Sequence, residues 1–182
     1  ESYMGFGYNK EQVLAGAVPK GFDGLLHPQL KGKMGITLNE SSARMIGAML
    51  TIKGEEFVKK LRAQEIRTYT VSSAALVDLM ASGELGASFH IYRNHATVSA
   101  DRGSSVGWVP MELVPTNSGC VGLAAQPPHP HGAALFVDFL LGTEARKVLE
   151  KFQYGHPSQE WPFKRWHPGF GRSVEQFEKD SA

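Results

Sequence analysis

Apolar positions change their period along the chain, and each change marks an element. Tyr3, Met4, Phe6 and Tyr8 form a short aromatic run punctuated by Gly5 and Gly7. Residues 9–33 carry Pro19, Gly21, Gly24, Pro28 and Gly32, which predicts mostly loop with one short helical turn. Residues 34–38 read as a short strand. Asn39, Ser41 and Ser42 then offer capping side chains to a helix whose apolar positions are Met45, Met49 and Ile52. Gly54 breaks that helix, and Phe57, Val58 and Leu61 give the next one its buried stripe.

Residues 67–71 are rich in β-formers. Ser72 and Ser73 follow at once and cap a helix with Leu76, Leu79 and Met80 on one face, which Gly83 ends. Residues 87–92 predict a strand and 94–102 a helix closed by Gly103. The last strand candidates are 106–109 and 119–125. Leu135, Phe136, Phe139 and Leu140 form the stripe of one helix. Ala145, Val148, Leu149 and Phe152 form that of a second, with Thr143 as its N-cap. From residue 155 the chain is rich in Pro, Trp, His and Gly, which predicts an irregular surface segment with a short helix over 174–179. Strands alternating with helices imply an α/β layer arrangement. The division expected is a lobe over 1–154 and a tail over 155–182.

Composition narrows the class. Of 182 residues, 42% are hydrophobic and 20% charged, enough apolar content for a real core and too much for a disordered chain. Lys and Arg number 19 against 18 Asp and Glu, a net charge of +1, so no basic face for nucleic acid is implied. Cys120 is the single cysteine, which excludes an intrachain disulfide and a cysteine-rich zinc site. No run of 18 apolar residues offers a membrane span. The chain opens without a basic and apolar leader, so a signal peptide is expected to lie outside it.

Few residues are arranged for chemistry. Asp23, Asp78, Glu84 and Asp101 fall in turns, helices or loops, and no two carboxylates are set for acid–base work. Cys120 lies in a stretch reading Cys-Val-Gly-Leu-Ala, expected to be a buried strand. His129 and His131 bracket Pro130, a spacing open to a metal, and equally the start of a helix. His156 and His167 lack a third ligand at a sensible spacing. Gly5-Phe6-Gly7 lacks the third glycine of a dinucleotide-binding turn. Neither an enzyme nor a cofactor is indicated.

Four stretches, in order, resemble the type 2 periplasmic solute-binding proteins of ABC importers, in their iron, sulfate and polyamine group. They are Gly7-Tyr8-Asn9-Lys10; Val18-Pro19-Lys20-Gly21-Phe22-Asp23-Gly24-Leu25-Leu26-His27-Pro28-Gln29-Leu30-Lys31-Gly32-Lys33; Ser72-Ser73-Ala74-Ala75 with Ala81-Ser82-Gly83-Glu84; and residues 128–141, from Pro128-His129-Pro130 to Asp138-Phe139-Leu140-Leu141. Thr143-Glu144-Ala145-Arg146 follows where the family often has x-E-G-Q. The resemblance implies one lobe of that fold, a mixed sheet flanked by helices, comprising the second lobe and its return segments. It implies a small-molecule solute, a membrane ABC permease and the absent first lobe as partners, and export to the periplasm or cell surface, with a membrane-anchored form allowed. Apolar surface that normally faces the first lobe is then expected to be bare.

The resemblance also places a site. Iron-binding members carry an adjacent tyrosine pair that falls here on Arg93-Asn94, with Tyr92 one residue early. An arginine there adds a fixed positive charge and points toward an anionic or oxyanion-bearing ligand. Arg93 closes a strand, where open α/β sheets place their ligands, and a guanidinium takes an oxyanion by two parallel bonds. Ser72 and Ser73 add donors at one helix start, and Ser41 and Ser42 at another. Asn94, Tyr92 and His90 supply neutral groups, and Thr116, Asn117 and Ser118 form a polar loop near the cleft. The candidate ligand set is Arg93, Asn94, Ser72, Ser73, Tyr92, Ser41 and Asn117, with no metal. Each has a plainer alternative: serines cap helices everywhere, and Arg93 can pair with Asp101 or Glu84. Two other functions stay open, ferric or iron-chelate binding through Tyr92 or Tyr8, and the effector-sensing domain of a transcription regulator. A hydrolase using the tail histidines is a weaker third.

Overall fold

Strand β1 (Ser2–Asn9) is the axis of the molecule, with residues 3–7 buried on both faces of the sheet. The computed structural model describes residues 1–156 and 159–167; the helix expected over 174–179 lies outside them. On one edge β1 pairs antiparallel with β4 (Ala87–Tyr92). Its other edge is shared end to end. β5 (Val106–Val109) takes Phe6 to Asn9, and β6 (Val114–Asn117) takes Ser2 and Tyr3. Beyond β6 lies β7 (Arg165–Trp166), parallel to it. A short parallel pair, β2 (Gly35–Thr37) with β3 (Arg67–Tyr69), adjoins β4 through a bridge from Met34 to Ala87. The result is a mixed sheet flanked by helices, as expected.

Helix α1 (Glu40–Lys60) begins with a capping box. Asn39 accepts from the Ser41 and Ser42 amides, and the Ser42 hydroxyl accepts from the Asn39 amide. Gly54 (φ 73°, ψ 178°) is non-helical and divides this span at a kink into two helical segments, as expected, in a backbone region that only glycine adopts at little cost. Ser72 caps α2 (Ser73–Ala81) by accepting from the Ala75 amide. Helix α3 (Arg93–Asp101) follows β4 directly. Helices α4 (Pro130–Leu141) and α5 (Thr143–Lys151) are separated by Gly142 alone, so Gly142 holds the cap position and Thr143, the expected N-cap, is the first helical residue.

Two apolar clusters hold the layers together. The larger gathers Met4, Phe6, Phe22, Leu25, Leu30, Met34, Met45, Met49 and Phe89. The smaller gathers Leu76, Val77, Met80, Ile91 and Val106 under α2 and α3. Helix α4 joins neither. It has no buried residue, and Leu135, Phe136 and Phe139 are respectively 71%, 59% and 49% exposed. The bare apolar surface expected of an isolated lobe is therefore present on α4.

Several expectations need correction. Residues 116–118 were expected as a polar loop, yet Thr116 is buried in β6 and pairs with Tyr3. Residues 119–125 form no strand and are exposed, because β5 and β6 already occupy that edge of β1. Cys120 is accordingly exposed rather than buried. The loop over 9–33 contains three 3₁₀ turns, at Ala15–Ala17, Phe22–Leu26 and Pro28–Leu30, where one was expected. The tail is not wholly irregular, since Arg165–Trp166 extends the sheet and Trp166 packs on the larger cluster.

Candidate functional site

A bulge in β4 sets up the site. Met4 and Gly5 pair with Tyr92 and Ile91, whereas Gly7 and Tyr8 pair with Ser88 and Ala87, so Phe89 and His90 together face the single Phe6. The extra residue reverses the alternation of the strand. Phe89 joins the larger cluster and Ile91, two residues on, joins the smaller. His90 is fully buried and bridges strands: Thr37 Oγ1 lies 2.8 Å from its Nε2, and Ser88 Oγ lies 2.9 Å from its Nδ1. Burial pushes the imidazole down to about 4, so it is neutral near pH 7.

Beyond the bulge, β4 runs into α3 without a loop. Tyr92 holds the N-cap position of α3, and its side chain makes no capping bond. The first-turn N–H groups of this helix are therefore left to whatever stands before them. Tyr92, Asn94 and His95 at the start of this helix line a cavity of about 610 Å³. Tyr92, Asn94, His95 and Asn117 line one wall, and Leu140, Leu149 and Tyr154 of the α4–α5 region line another. A second cavity of about 460 Å³ lies between α2 and α3 and shares Asn94, His95 and Tyr154 with the first.

The acidic side chains of the larger cavity are already paired. Arg146 Nε donates to Glu150 Oε1 at 3.0 Å. Glu1 accepts from Arg165 at 2.7 Å and from Tyr3 at 3.1 Å, with His167 Nε2 3.0 Å away. Burial opposes ionisation of Glu1, but the bonds from His167, Arg165 and Tyr3 outweigh it and hold the carboxyl below its usual range. Burial, with the Glu1 charge beside it, pushes the Tyr3 phenol up to about 12. The Glu1 ammonium donates to the Gly155 carbonyl at 2.8 Å, and the α3 N-terminus adds partial positive charge at this cavity.

The expected ligand residues divide. Tyr92, Asn94 and Asn117 come together on the cavity. Ser41 joins them indirectly, its Oγ 3.5 Å from the Tyr92 hydroxyl. Asn117 Oδ1 accepts from Arg44 at 3.0 Å, and Arg44 is in turn held by Glu40, so the oxygen of the Asn117 amide is already engaged. Ser72 and Ser73 stand outside both linings; Ser72 is used as a cap, and Ser73 Oγ is buried without a partner. Arg93 also stands outside. Its guanidinium lies over the Trp161 ring, 4.8 Å from the centroid, rather than against Asp101 or Glu84. Burial lowers its pKa.

Three contributors were not legible in the sequence. His95 follows Asn94 by one place, so extending the helix-start reasoning by a residue finds it. Arg44 is one basic residue on an amphipathic helix, without any distinguishing pattern. Cys120 reaches the cavity because the segment carrying it is not a strand.

A mixed sheet whose strand end and uncapped helix open on a cleft defines a binding lobe. Residues 2–154 match the family model described as "Bacterial extracellular solute-binding protein", and the chain belongs to that family. No curated protein sequence matches. Among solved structures, the chain is similar to the periplasmic binding protein AfuA from Actinobacillus pleuropneumoniae, solved with fructose-6-phosphate. That match has 24% identity and a TM-score of 0.63, and covers 82% of this chain and 50% of that one. The sulfate-binding protein SubI from Mycobacterium tuberculosis gives 18% identity and a TM-score of 0.68, covering 91% and 63%. Iron-bound HitA from Pseudomonas aeruginosa gives 18% identity and 0.61, covering 87% and 57%. The chain thus spans about half to two-thirds of the length of these proteins. Among the described residues, no helix is long and apolar enough to cross a membrane.

Proposed function

We propose that this chain is the ligand-binding lobe of the substrate-binding component of an ABC-type importer. It captures a small anionic or oxyanion-bearing solute and presents it to a membrane permease. One observation carries the reading: the start of α3, without a side-chain cap, lines a cavity whose acidic side chains are paired. Free N–H groups and the helix dipole favour an anion there. The Asn117 amide and the Tyr92 hydroxyl are donors beside it. AfuA and SubI, solved with a sugar phosphate and named for sulfate respectively, are consistent with such a ligand.

The bare face of α4 supports a further lobe in the whole protein, so that the solute is enclosed by hinge closure. Residues 1–154 are the binding unit and 155–182 a tail, of which 159–167 contact it through Arg165, Trp166 and Trp161. The protein acts in the periplasm or at the cell surface, free or membrane-anchored.

Titration calorimetry of the purified chain with sulfate, inorganic phosphate and spermidine tests the class of solute. At least one anion binds, and Asn117→Ala weakens it by about tenfold, the worth of one hydrogen bond to a charged group. Binding of spermidine with neither anion bound contradicts the reading.

A further inference from the structure

The larger and smaller cavities share two adjacent side chains that each leave one buried polar atom unbonded. Asn94 is 6% exposed, and its Oδ1 is buried without a hydrogen-bond partner. His95 Nδ1, on the next residue, is likewise buried and unpartnered. Both residues line both cavities, together with Tyr154. A buried polar atom without a partner is costly, and two adjacent ones at a cavity mark where a ligand supplies the missing bonds.

We propose that the solute carries hydroxyl groups next to its acidic group, and that Asn94 and His95 bind those hydroxyls. The inference rests on the reading of the α3 N-terminus as the anion end of the site. A hydroxyl both donates and accepts, so it satisfies these atoms whichever imidazole nitrogen holds the proton and whichever way the amide is turned. An ammonium only donates, and the carboxylates of the larger cavity, Glu1 and Glu150, are already engaged by Arg165 and Arg146. The smaller cavity is lined by one charge of each sign, Asp78 and Arg102, so no net charge opposes a neutral polyol. Size agrees. Volumes of about 610 and 460 Å³ suit an organic solute, and the larger alone exceeds what a bare tetrahedral oxyanion fills.

Two matched pairs of probes test this: glucose 6-phosphate against hexyl phosphate, and gluconate against hexanoate. Each pair shares its acidic group and its carbon count, and only the first member carries hydroxyls. In NMR titrations of the purified chain, the hydroxylated member of at least one pair binds ten or more times tighter and shifts the Asn94 side-chain amide and His95 ring resonances. In Asn94→Leu that ratio falls toward one. Should Asn94→Leu not fold, judged by near-ultraviolet circular dichroism, His95→Phe serves the same purpose. Equal affinity within both pairs overturns the hydroxyl inference and leaves the anion reading standing. No binding of any of the four overturns the hydroxyl inference, and the anion reading then stands or falls on the sulfate and phosphate titrations.

Discussion

The Arg93 guanidinium lies over the Trp161 ring at 4.8 Å from its centroid, which ties the start of α3 to the segment over 159–167. The contact is a cation–π pair, partly buried, of the kind worth about 0.5–2 kcal/mol. Trp161 also stacks with Phe163 at 5.3 Å and meets Tyr3 at 4.8 Å. Arg93→Ala is therefore expected to lower the melting temperature, and Trp161→Ala to do the same. The double variant loses less than the sum of the two. A double-mutant cycle by denaturant unfolding measures the coupling, and a value indistinguishable from zero removes the pair as a structural contact.

Acid should weaken the fold through His90. Its pKa is 6.5 when unfolded and about 4 when folded, because burial disfavours the imidazolium. Between those values the unfolded chain binds a proton that the native chain does not, so stability falls as pH drops from about 6.5 to about 4 and the term is constant below that. Two and a half pH units correspond to about 3 kcal/mol. Burial also lowers the pKa of His95, which adds to the trend with the same sign. Measured from pH 7 to 4, the stability of His90→Gln should slope less steeply than that of the unaltered chain. Parallel slopes would disprove the assignment.

Gly54→Ala isolates backbone conformation from packing. Nothing lies within 4 Å of where its Cβ would stand, yet its φ of 73° with ψ of 178° is disfavoured for any other residue. The expected loss is about 1–3 kcal/mol. Gly5→Ala is the steric counterpart, since its Cβ would stand 2.7 Å from the Trp108 ring. That loss should be similar or larger, with the added mark of altered tryptophan fluorescence. A Gly54→Ala chain as stable as the parent would mean that the kink straightens freely.

Substitution on α4 should separate surface from core. Phe136 is 59% exposed, and Phe22 is fully buried in the larger cluster. Phe136→Ser should change stability by less than about 0.5 kcal/mol, whereas Phe22→Ala should cost about 3–5 kcal/mol. The exposed face should bind a hydrophobic reporter dye in the native state, and Phe136→Ser with Phe139→Ser should reduce that fluorescence. Unchanged dye binding would mean that α4 is covered in solution.

The elements with strong local signals were readable in advance. β4 and β5 fall on the residues expected, because Ala87–Tyr92 and Val106–Val109 are apolar runs between glycine-marked turns. The α1 and α2 starts were carried by Asn39 and Ser72, whose capping chemistry is local. What failed depends on distant partners. Whether 116–118 or 119–125 becomes a strand is decided by which segment reaches the free edge of β1, and no residue in either announces it. The site shows the same division. The strand end at Tyr92 and the helix-start Asn94 are local features, but the turning of Arg93 toward Trp161 depends on a segment 68 residues later. His95 lines a cavity only once Leu149 of α5 and Tyr154 supply its other side.

The placement of β1 at the axis of the sheet has a kinetic consequence. Its partners begin 85, 104 and 112 residues further along, at Ala87, Val106 and Val114. This strand is thus made before every strand it pairs with and is completed only after they are made. During synthesis Tyr3, Met4 and Phe6 must wait, unpaired and apolar, until the chain has passed residue 117. Contacts of such long sequence separation slow folding and prolong the exposure of an open edge. The aromatic run that anchors the finished lobe is, in the nascent chain, the segment most in need of a chaperone.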